Sequence, residues 1–260
     1  ALETLIAMYH GNGQSTQTHT NGSAAAEHWV TALEKAVVRH PEVRDTRDTS
    51  IHAQTMELQH IQRLTGNYQD LPGTGPMYTE LTGAFKDGRL SPAEVGAGDI
   101  GQLSRLMRDQ HFFNSYFVTH TYFWGDRHYE MFLGQDRAER ISPLRSALKR
   151  GIPFSNHNDT FVTPIDPLLS VWSAVNRITS SGQVLGEEYT ISVMDALRSV
   201  TSWAAYQACE ETSKGSLEPG KLADFVILEA NPLTVAKETI KDIGISATIV
   251  GDEVVYGSLD

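Results

Sequence analysis

The spacing of apolar and polar residues predicts a chain in which short strands alternate with helices. The clearest helix is predicted from Ala24 to His40, with an apolar stripe at helical spacing formed by Trp29, Val30, Leu33 and Val37. The predicted strands of this first part cover residues 14–19, 49–54, 112–120 and 151–159. Because each strand is followed by a helix, the order predicts an α/β fold with a parallel sheet and right-handed crossovers.

The last part of the chain has a different pattern. Residues 222–228 are strand-like, and residues 247–250 and 253–256 are predicted to form a hairpin with Gly251 at its first turn position. So few strands do not make an independent domain, and we expect them to complete a sheet that begins upstream of Ala1. The predicted domains are therefore residues 1–212 and 213–260.

A stretch rich in glycine and proline follows the second predicted strand, from Gly66 to Gly98. A loop of this length within a domain is typical of either a mobile surface loop or an active-site lid, and the pattern leaves both open. We refer to it as the lid-like insertion.

Composition excludes several classes of partner. The formal charge of −11 over 260 residues disfavours nucleic acids and anionic membranes, which leaves small-molecule substrates. No apolar run approaches the ~20 residues of a membrane span. The chain starts without methionine or a basic leader, so we interpret it as part of a longer protein. A cytoplasmic location is expected, although the true amino terminus, which would show an export signal, is not part of this sequence. Its one cysteine, Cys209, is predicted to be an inert core thiol. Six histidines have no partner that the sequence predicts and are expected at the surface, namely His10, His28, His40, His60, His111 and His128.

Candidate chemistry lies at the ends of the four predicted strands. Three end in histidine, at His19, His52 and His120, and the fourth ends in Asp159. The carboxyl ends of barrel strands carry the active sites of barrel enzymes, so this pattern indicates a catalytic or metal site. Imidazole and carboxylate ligands suit zinc, and also manganese, iron or nickel. Alternatively, Asp159 caps the helix that begins near Asp166.

Several motifs resemble a known family. The longest is Lys214-Gly215-Ser216-Leu217-Glu218-Pro219-Gly220-Lys221-Leu222-Ala223-Asp224-Phe225-Val226-Ile227-Leu228. The others are 19–22 (His-Thr-Asn-Gly), 52–54 (His-Ala-Gln), 166–172 (Asp-Pro-Leu-Leu-Ser-Val-Trp) and 247–251 (Ala-Thr-Ile-Val-Gly). Together they are similar to the carboxyl part of metal-dependent amidohydrolases, in the branch called amidohydrolase family 3.

The resemblance implies the carboxyl half, strands five to eight, of a distorted TIM (β/α)₈ barrel, followed by the closing strands of a small β-sandwich-like domain. It implies that His19 and His52 are metal ligands and that Asp159 is both a metal ligand and the proton shuttle. His120 would face the substrate and polarise the scissile carbonyl. His157, predicted to lie on the face of Asp159, is either a residue that orients this carboxylate or a packed side chain.

The implied reaction is hydrolysis of a carbon–nitrogen bond other than a peptide bond, by water that a divalent metal, most simply zinc, activates. The chain departs from the family pattern at Ile51, Ser23 and 158–161 (Asn-Asp-Thr-Phe). It also lacks the strand-one histidines, so it is predicted to be inactive by itself, and the metal to be absent from it when it is made alone. The alternative is a non-catalytic binding or regulatory protein on the same fold. Open strand edges predict that the chain made alone forms a dimer.

Overall fold

The computed structural model describes residues 1–68 and 100–259. They fall into two compact units, one of Ala1–Asn114 with Ser146–Pro153 and one of Ser115–Arg145 with Phe154–Asp260. From residue 69 onwards the predicted lid-like insertion lies outside the described residues.

Each of the first four strands is followed by one or more helices, as the apolar spacing predicted, and the chain ends in three strands without an α-helix between them. The helices are α1 (Leu2–Gly11), α2 (Ser23–Arg39), α3 (Leu58–Leu64), α4 (Ile100–Arg108), α5 (His120–Arg127), α6 (Gln135–Ala138), α7 (Leu144–Lys149), α8 (Pro167–Asn176), α9 (Val193–Ser199) and α10 (Ser202–Gln207). The strands are β1 (Gln17–His19), β2 (Thr49–His52), β3 (Phe113–Tyr116), β4 (Phe154–Asn156), β5 (Phe225–Leu228), β6 (Ile245–Val250) and β7 (Glu253–Gly257). A π-helical turn covers His128–Phe132, and 3₁₀ turns cover Glu187–Tyr189 and Lys237–Asp242.

The first unit holds the parallel pair β1 and β2, with His19 opposite Ile51. The strand β3 begins beside β2, where the Phe113 N–H donates to the Asp48 carbonyl over 3.0 Å. Helix α2 buries the predicted stripe completely, since Trp29, Val30, Leu33 and Val37 are all inaccessible to solvent. The parallel arrangement and the apolar face of α2 are therefore confirmed.

In the second unit the end of β3 contacts the segment after β4, because the His157 N–H donates to the Tyr116 carbonyl over 2.9 Å. The main sheet follows the order β1-β2-β3-β4. A second, antiparallel sheet contains β5, β6 and β7 in that order. Its hairpin turns at Gly251 and Asp252, whose φ angles of 57° and 69° are those of a type I′ turn. The predicted hairpin is confirmed.

Two predictions about residues 192–209 are wrong. The apolar spacing of residues 192–208 predicts one continuous helix, but α9 and α10 are separate and divided at Val200 and Thr201. Cys209 follows α10 at a φ of 59° and is exposed, so it is not a core thiol. Helical spacing of apolar residues continues across a break that only the backbone angles reveal.

A charged cluster joins α2 to α3 in the first unit. The fully buried Arg63 donates to Glu34 at 2.6 Å and 2.7 Å and to Glu27 at 2.8 Å and 2.9 Å. His60 also contacts Glu27, with 3.1 Å between Nε2 and Oε2. Burial alone raises the pKa of Glu27, but the His60 hydrogen bond and the Arg63 charge lower that pKa to about 2.

This lowered pKa predicts an acid-dependent loss of stability. The ionised Glu27 carboxylate stabilises the folded state fully above the ordinary carboxyl pKa of 4.5. This stabilisation is lost as the pH falls towards about 2. The variant Glu27→Gln should therefore be less stable than the parent at neutral pH, and the difference should shrink over that acidic window. Urea unfolding at a series of pH values measures both quantities.

The control is Glu3→Gln, since Glu3 pairs with Lys35 but is largely exposed, at 56% of its side chain. Exposed ion pairs contribute little, so this variant should track the parent at every pH. A loss of unfolding free energy in Glu27→Gln that is the same at every pH would contradict the role given to the Glu27 carboxylate.

Among the residues that the structure describes, no helix has the length and apolar character needed to cross a bilayer.

Candidate functional site

Two of the predicted metal ligands lie together in the first unit. His19 is the last residue of β1 and His52 is the last residue of β2, as predicted. Their ring centroids are 4.4 Å apart, and the rings meet edge to face at 83°. His52 is buried at 6% exposure and His19 is exposed. The pair thus places two imidazoles side by side at the carboxyl ends of adjacent parallel strands.

The backbone after these strands is held by hydrogen bonds between the two loops. The Thr20 N–H donates to the Ile51 carbonyl over 2.9 Å, and the Thr55 hydroxyl donates to the Asn21 carbonyl over 2.8 Å. The side-chain amide of Gln54 also donates to the side chain of Asn21. These residues belong to the two short motifs that follow His19 and His52, so the motifs serve to fix one loop against the other.

His52 itself has an uncommon backbone conformation. Its φ is 74°, and that of Ala53 is 47°. Positive φ costs a non-glycine residue energy, and such strain persists where the surroundings impose it, often at functional sites. The loop contacts described above supply that constraint.

His120 does not end a strand, which corrects the prediction. Strand β3 ends at Tyr116, and His120 is the first residue of α5. Its ring lies 5.2 Å from the Phe117 ring and 4.8 Å from the Trp124 ring. The apolar residues 117–118 prolong the strand pattern in sequence, but the chain has already turned towards the helix there.

His128 is the partner that sequence reasoning missed. It was expected at the surface, but it is half-buried and its ring stacks on His120 with centroids 4.5 Å apart. Its Nε2 lies 2.6 Å from Nδ1 of His120. The signal was present in the sequence, because rings recur every four residues, and residues four apart share a helix face. The rings are His120, Trp124, His128 and Phe132.

Two further histidines were also misplaced at the surface. His10 is fully buried with its Nδ1 3.2 Å from the buried carboxylate of Asp48, and His60 is buried against Glu27. Both contact carboxylates on other elements, over sequence separations that a local pattern does not reveal.

Asp159 also lies beyond its predicted strand. Strand β4 ends at Asn156, and Asp159 follows in a turn with a φ of 53°. The alternative role as a helix cap is taken by Asp166, whose carboxylate accepts the Leu169 N–H over 2.9 Å at the start of α8. Within residues 1–68 and 100–259 the carboxylate of Asp159 has no hydrogen-bond or ion-pair partner. It is half-buried, so it is a carboxylate without a structural task in the described chain.

His157 was predicted to alternate with Asp159 along a strand, but both follow the end of β4. Its ring stacks on Phe117 at 5.5 Å, and its Nδ1 lies 2.8 Å from the Ser115 hydroxyl. That hydroxyl is 2.9 Å from the Ser155 hydroxyl, which donates to Gln207 over 2.6 Å. A buried polar chain therefore orients the His157 ring.

A divalent metal of the kind that the sequence implies needs several nitrogen or oxygen ligands close together. Within the described residues, no three histidine, cysteine, aspartate or glutamate side chains form a group that could hold a metal ion. The pair His19 and His52 supplies two neighbouring imidazoles, and zinc sites in hydrolases commonly use two or three. Within the described part of the chain these two imidazoles therefore make at most part of a metal site.

Comparison with known proteins extends this picture. The model of the amidohydrolase family, of the family 3 branch, matches residues 99–256, more than half of the chain. YtcJ of Bacillus subtilis (strain 168), which is named as an amidohydrolase, is 24% identical over 259 residues, covering 98% of this chain and 40% of YtcJ. The N-substituted formamide deformylase of Arthrobacter pascens is 27% identical over 128 residues, covering 49% of this chain and 23% of the deformylase.

A solved structure shows the same fold. An uncharacterised metal-dependent hydrolase from Pyrococcus horikoshii OT3 superposes with a TM-score of 0.58 at 18% identity, covering 91% of this chain and 38% of the hydrolase. This chain thus spans about two fifths of the length of such proteins. The family match over more than half of the residues shows that the chain belongs to the amidohydrolase family, in its family 3 branch.

Proposed function

We propose that this chain is the carboxyl half, strands five to eight, of a (β/α)₈ barrel hydrolase that cleaves an amide-like carbon–nitrogen bond other than a peptide bond. The observation that carries the proposal is the edge-to-face pair of His19 and His52 at the ends of adjacent parallel strands, 4.4 Å between ring centroids. In barrel enzymes this end of the strands carries the chemistry. The bond type is supported by the deformylase among the relatives, whose name specifies an N-substituted formamide.

In the proposed site of the full-length protein His19 and His52 hold a divalent metal, most simply zinc. Further ligands come from the part of the protein upstream of Ala1, and Asp159 joins them only when that part completes the barrel, because the described residues alone form no three-ligand group. When bound, such a metal lowers the pKa of water towards neutrality and polarises a carbonyl group. Small-molecule substrates fit the charge of −11 better than nucleic acids do.

Asp159 and His120 have the remaining roles in the proposal. The carboxylate of Asp159 accepts the proton of the attacking water and passes it to the leaving nitrogen, which needs an acceptor without a competing structural partner. His120 donates a hydrogen bond to the oxygen of the scissile carbonyl as negative charge develops on it.

The test is the metal content of the full-length protein. We expect stoichiometric divalent metal in the parent and a loss of affinity in His19→Ala and in His52→Ala that exceeds the roughly 10–100-fold typical of removing an outer-shell partner. Elemental analysis after dialysis, together with titration of the metal-free protein, measures this without reference to activity.

His28→Ala is the matched control, because His28 is an exposed histidine on α2 and should leave the metal content unchanged. A folded parent that binds no metal, or one whose metal content is unaffected in both variants, would contradict the proposal. That result would favour the non-catalytic binding protein, for which Ile51 beside His52 already departs from the family pattern.

A further inference from the structure

The second unit contains a continuous ladder of rings along one helix face. His120 and Trp124 lie one helical turn apart in α5, with centroids 4.8 Å apart. His128 stacks on His120 at 4.5 Å with an interplanar angle of 24°, and Phe132 contacts His128 at 5.9 Å. The π-helical turn, which is rare and is frequently found at functional sites, begins at His128. The ladder therefore fixes both imidazoles in place by packing.

The hydrogen bond between the two histidines restricts where their protons lie. Nε2 of His128 and Nδ1 of His120 are 2.6 Å apart, so one proton lies between them. If His120 supplied it, a neutral His128 would carry its own proton on Nδ1. That atom is buried and has no hydrogen-bond partner among the described residues. A buried N–H without an acceptor is costly, because it loses its hydrogen bond to water and gains none in the protein.

The opposite arrangement avoids this cost. With the shared proton on Nε2 of His128, the buried Nδ1 is a bare nitrogen with no N–H to satisfy. His120 then accepts at Nδ1, so its own proton is on Nε2. Burial lowers the pKa of His128, which favours the neutral ring that this arrangement requires.

We infer that His128 is a positioning residue, which holds His120 in the tautomer whose Nε2–H can be donated to an oxyanion. The inference rests on the proposed function, in which His120 donates to the scissile carbonyl oxygen. A neutral donor is suited to this task because a preorganised N–H strengthens its bond as charge develops on the oxygen. The hydrogen bond that Nδ1 of His120 accepts from His128 decides which nitrogen of the His120 ring carries the proton.

Two variants of His128 separate the N–H from the ring. His128→Phe keeps an aromatic ring for the ladder but removes the donor. His128→Gln loses the ring but offers an amide N–H at a comparable distance along the side chain. If the hydrogen bond donated to Nδ1 of His120 fixes the tautomer, His128→Gln should keep the His120 tautomer of the parent and His128→Phe should not. His28→Gln, at an exposed position on α2, controls for histidine replacement.

The tautomer is read directly by ¹⁵N NMR of the full-length protein labelled at histidine. In the parent and in His128→Gln we expect His120 protonated at Nε2, and in His128→Phe a mixture of both tautomers. With an N-acyl substrate, His128→Phe should lower kcat about 10–100-fold, as for other orienting partners, with KM little changed because the lost interaction belongs to the transition state.

His120 protonated at Nδ1 in the parent would overturn the inference. It would also be overturned if His128→Phe shifted the tautomer without lowering kcat, or if it lowered kcat with the tautomer unchanged. A parent with no hydrolase activity but with the expected tautomers would remove the proposed function and leave the assignment of the protons standing.

Discussion

Replacing Asp159 with asparagine in the full-length protein should lower kcat by about 10²–10⁴-fold, the range for loss of a general acid–base group. The structural reason is that the Asp159 carboxylate has no partner among the described residues, whereas the carboxylate of Asp166, in the same segment, accepts a backbone N–H. An amide has nearly the same shape but does not accept a proton. Steady-state kinetics, with metal content measured on the same samples, separates proton transfer from metal binding.

Asparagine is the appropriate substitution because of the backbone at this site. Asp159 has a φ of 53°, a left-handed conformation that asparagine tolerates better than alanine or branched residues do. The fold should therefore persist, and the free energy of unfolding should change little. Alanine would add backbone strain to the loss of the carboxylate and would confuse the two effects.

Asp166→Asn is the matched control in the same segment. The Asp166 carboxylate caps α8 by accepting the Leu169 N–H, and asparagine is an equally good capping residue. This variant should retain the kcat of the parent. Equal losses in both variants would show that the segment, and not the Asp159 carboxylate, limits the rate, and would refute the role assigned to Asp159.

The sequence predicted the ends of two strands correctly and the ends of two others wrongly. His19 and His52 were placed correctly because short strands bounded by polar turns leave a local signal, and the parallel pairing of β1 and β2 then brings the rings together. His120 and Asp159 were placed too early in their segments, because Phe117, Val118 and His157 extend the strand pattern beyond the residues that pair. A strand ends where its hydrogen bonds to the neighbouring strand stop. The local sequence does not show where that neighbouring strand lies.

Long-range polar contacts were not predictable in the same way. The burial of His10 against Asp48, and of His60 against Glu27, joins residues 38 and 33 positions apart. Such pairs depend on how elements pack, whereas composition suggests only that a histidine is at the surface. The ladder that links His120 to His128 is the exception, since its four-residue spacing was present in the sequence once the segment is known to be helical.

Replacing Arg177 with methionine should lower the free energy of unfolding by about 3 kcal/mol or more, because several buried carbonyl groups lose a charged donor at about 1–3 kcal/mol each. Arg177 directly follows α8 as its C-cap and is fully buried. Its guanidinium donates to the carbonyls of Leu185 at 2.6 Å, Ser142 at 3.0 Å, Glu139 at 3.2 Å and Ile141 at 2.7 Å.

The guanidinium remains charged despite its burial. Burial lowers the pKa of Arg177 to about 10, which is well above neutral pH, so the cation is the form that donates to these carbonyls. A planar group with five donors serves four acceptors at once, and an ammonium does not match that geometry. Arg177→Lys should therefore recover only part of the stability lost in Arg177→Met.

Two comparisons make the Arg177 prediction specific. Arg198→Met removes an exposed arginine that pairs with Asp195, and this should cost at most about 1 kcal/mol. Methionine keeps the side-chain stem at position 177 and meets the same φ of 53°, so the difference reports the guanidinium. Urea unfolding measures the loss, and hydrogen exchange of residues 139–144 should accelerate in Arg177→Met. Unchanged exchange in this segment would contradict the prediction, because Arg177 donates to the carbonyls of Glu139, Ile141 and Ser142 within it.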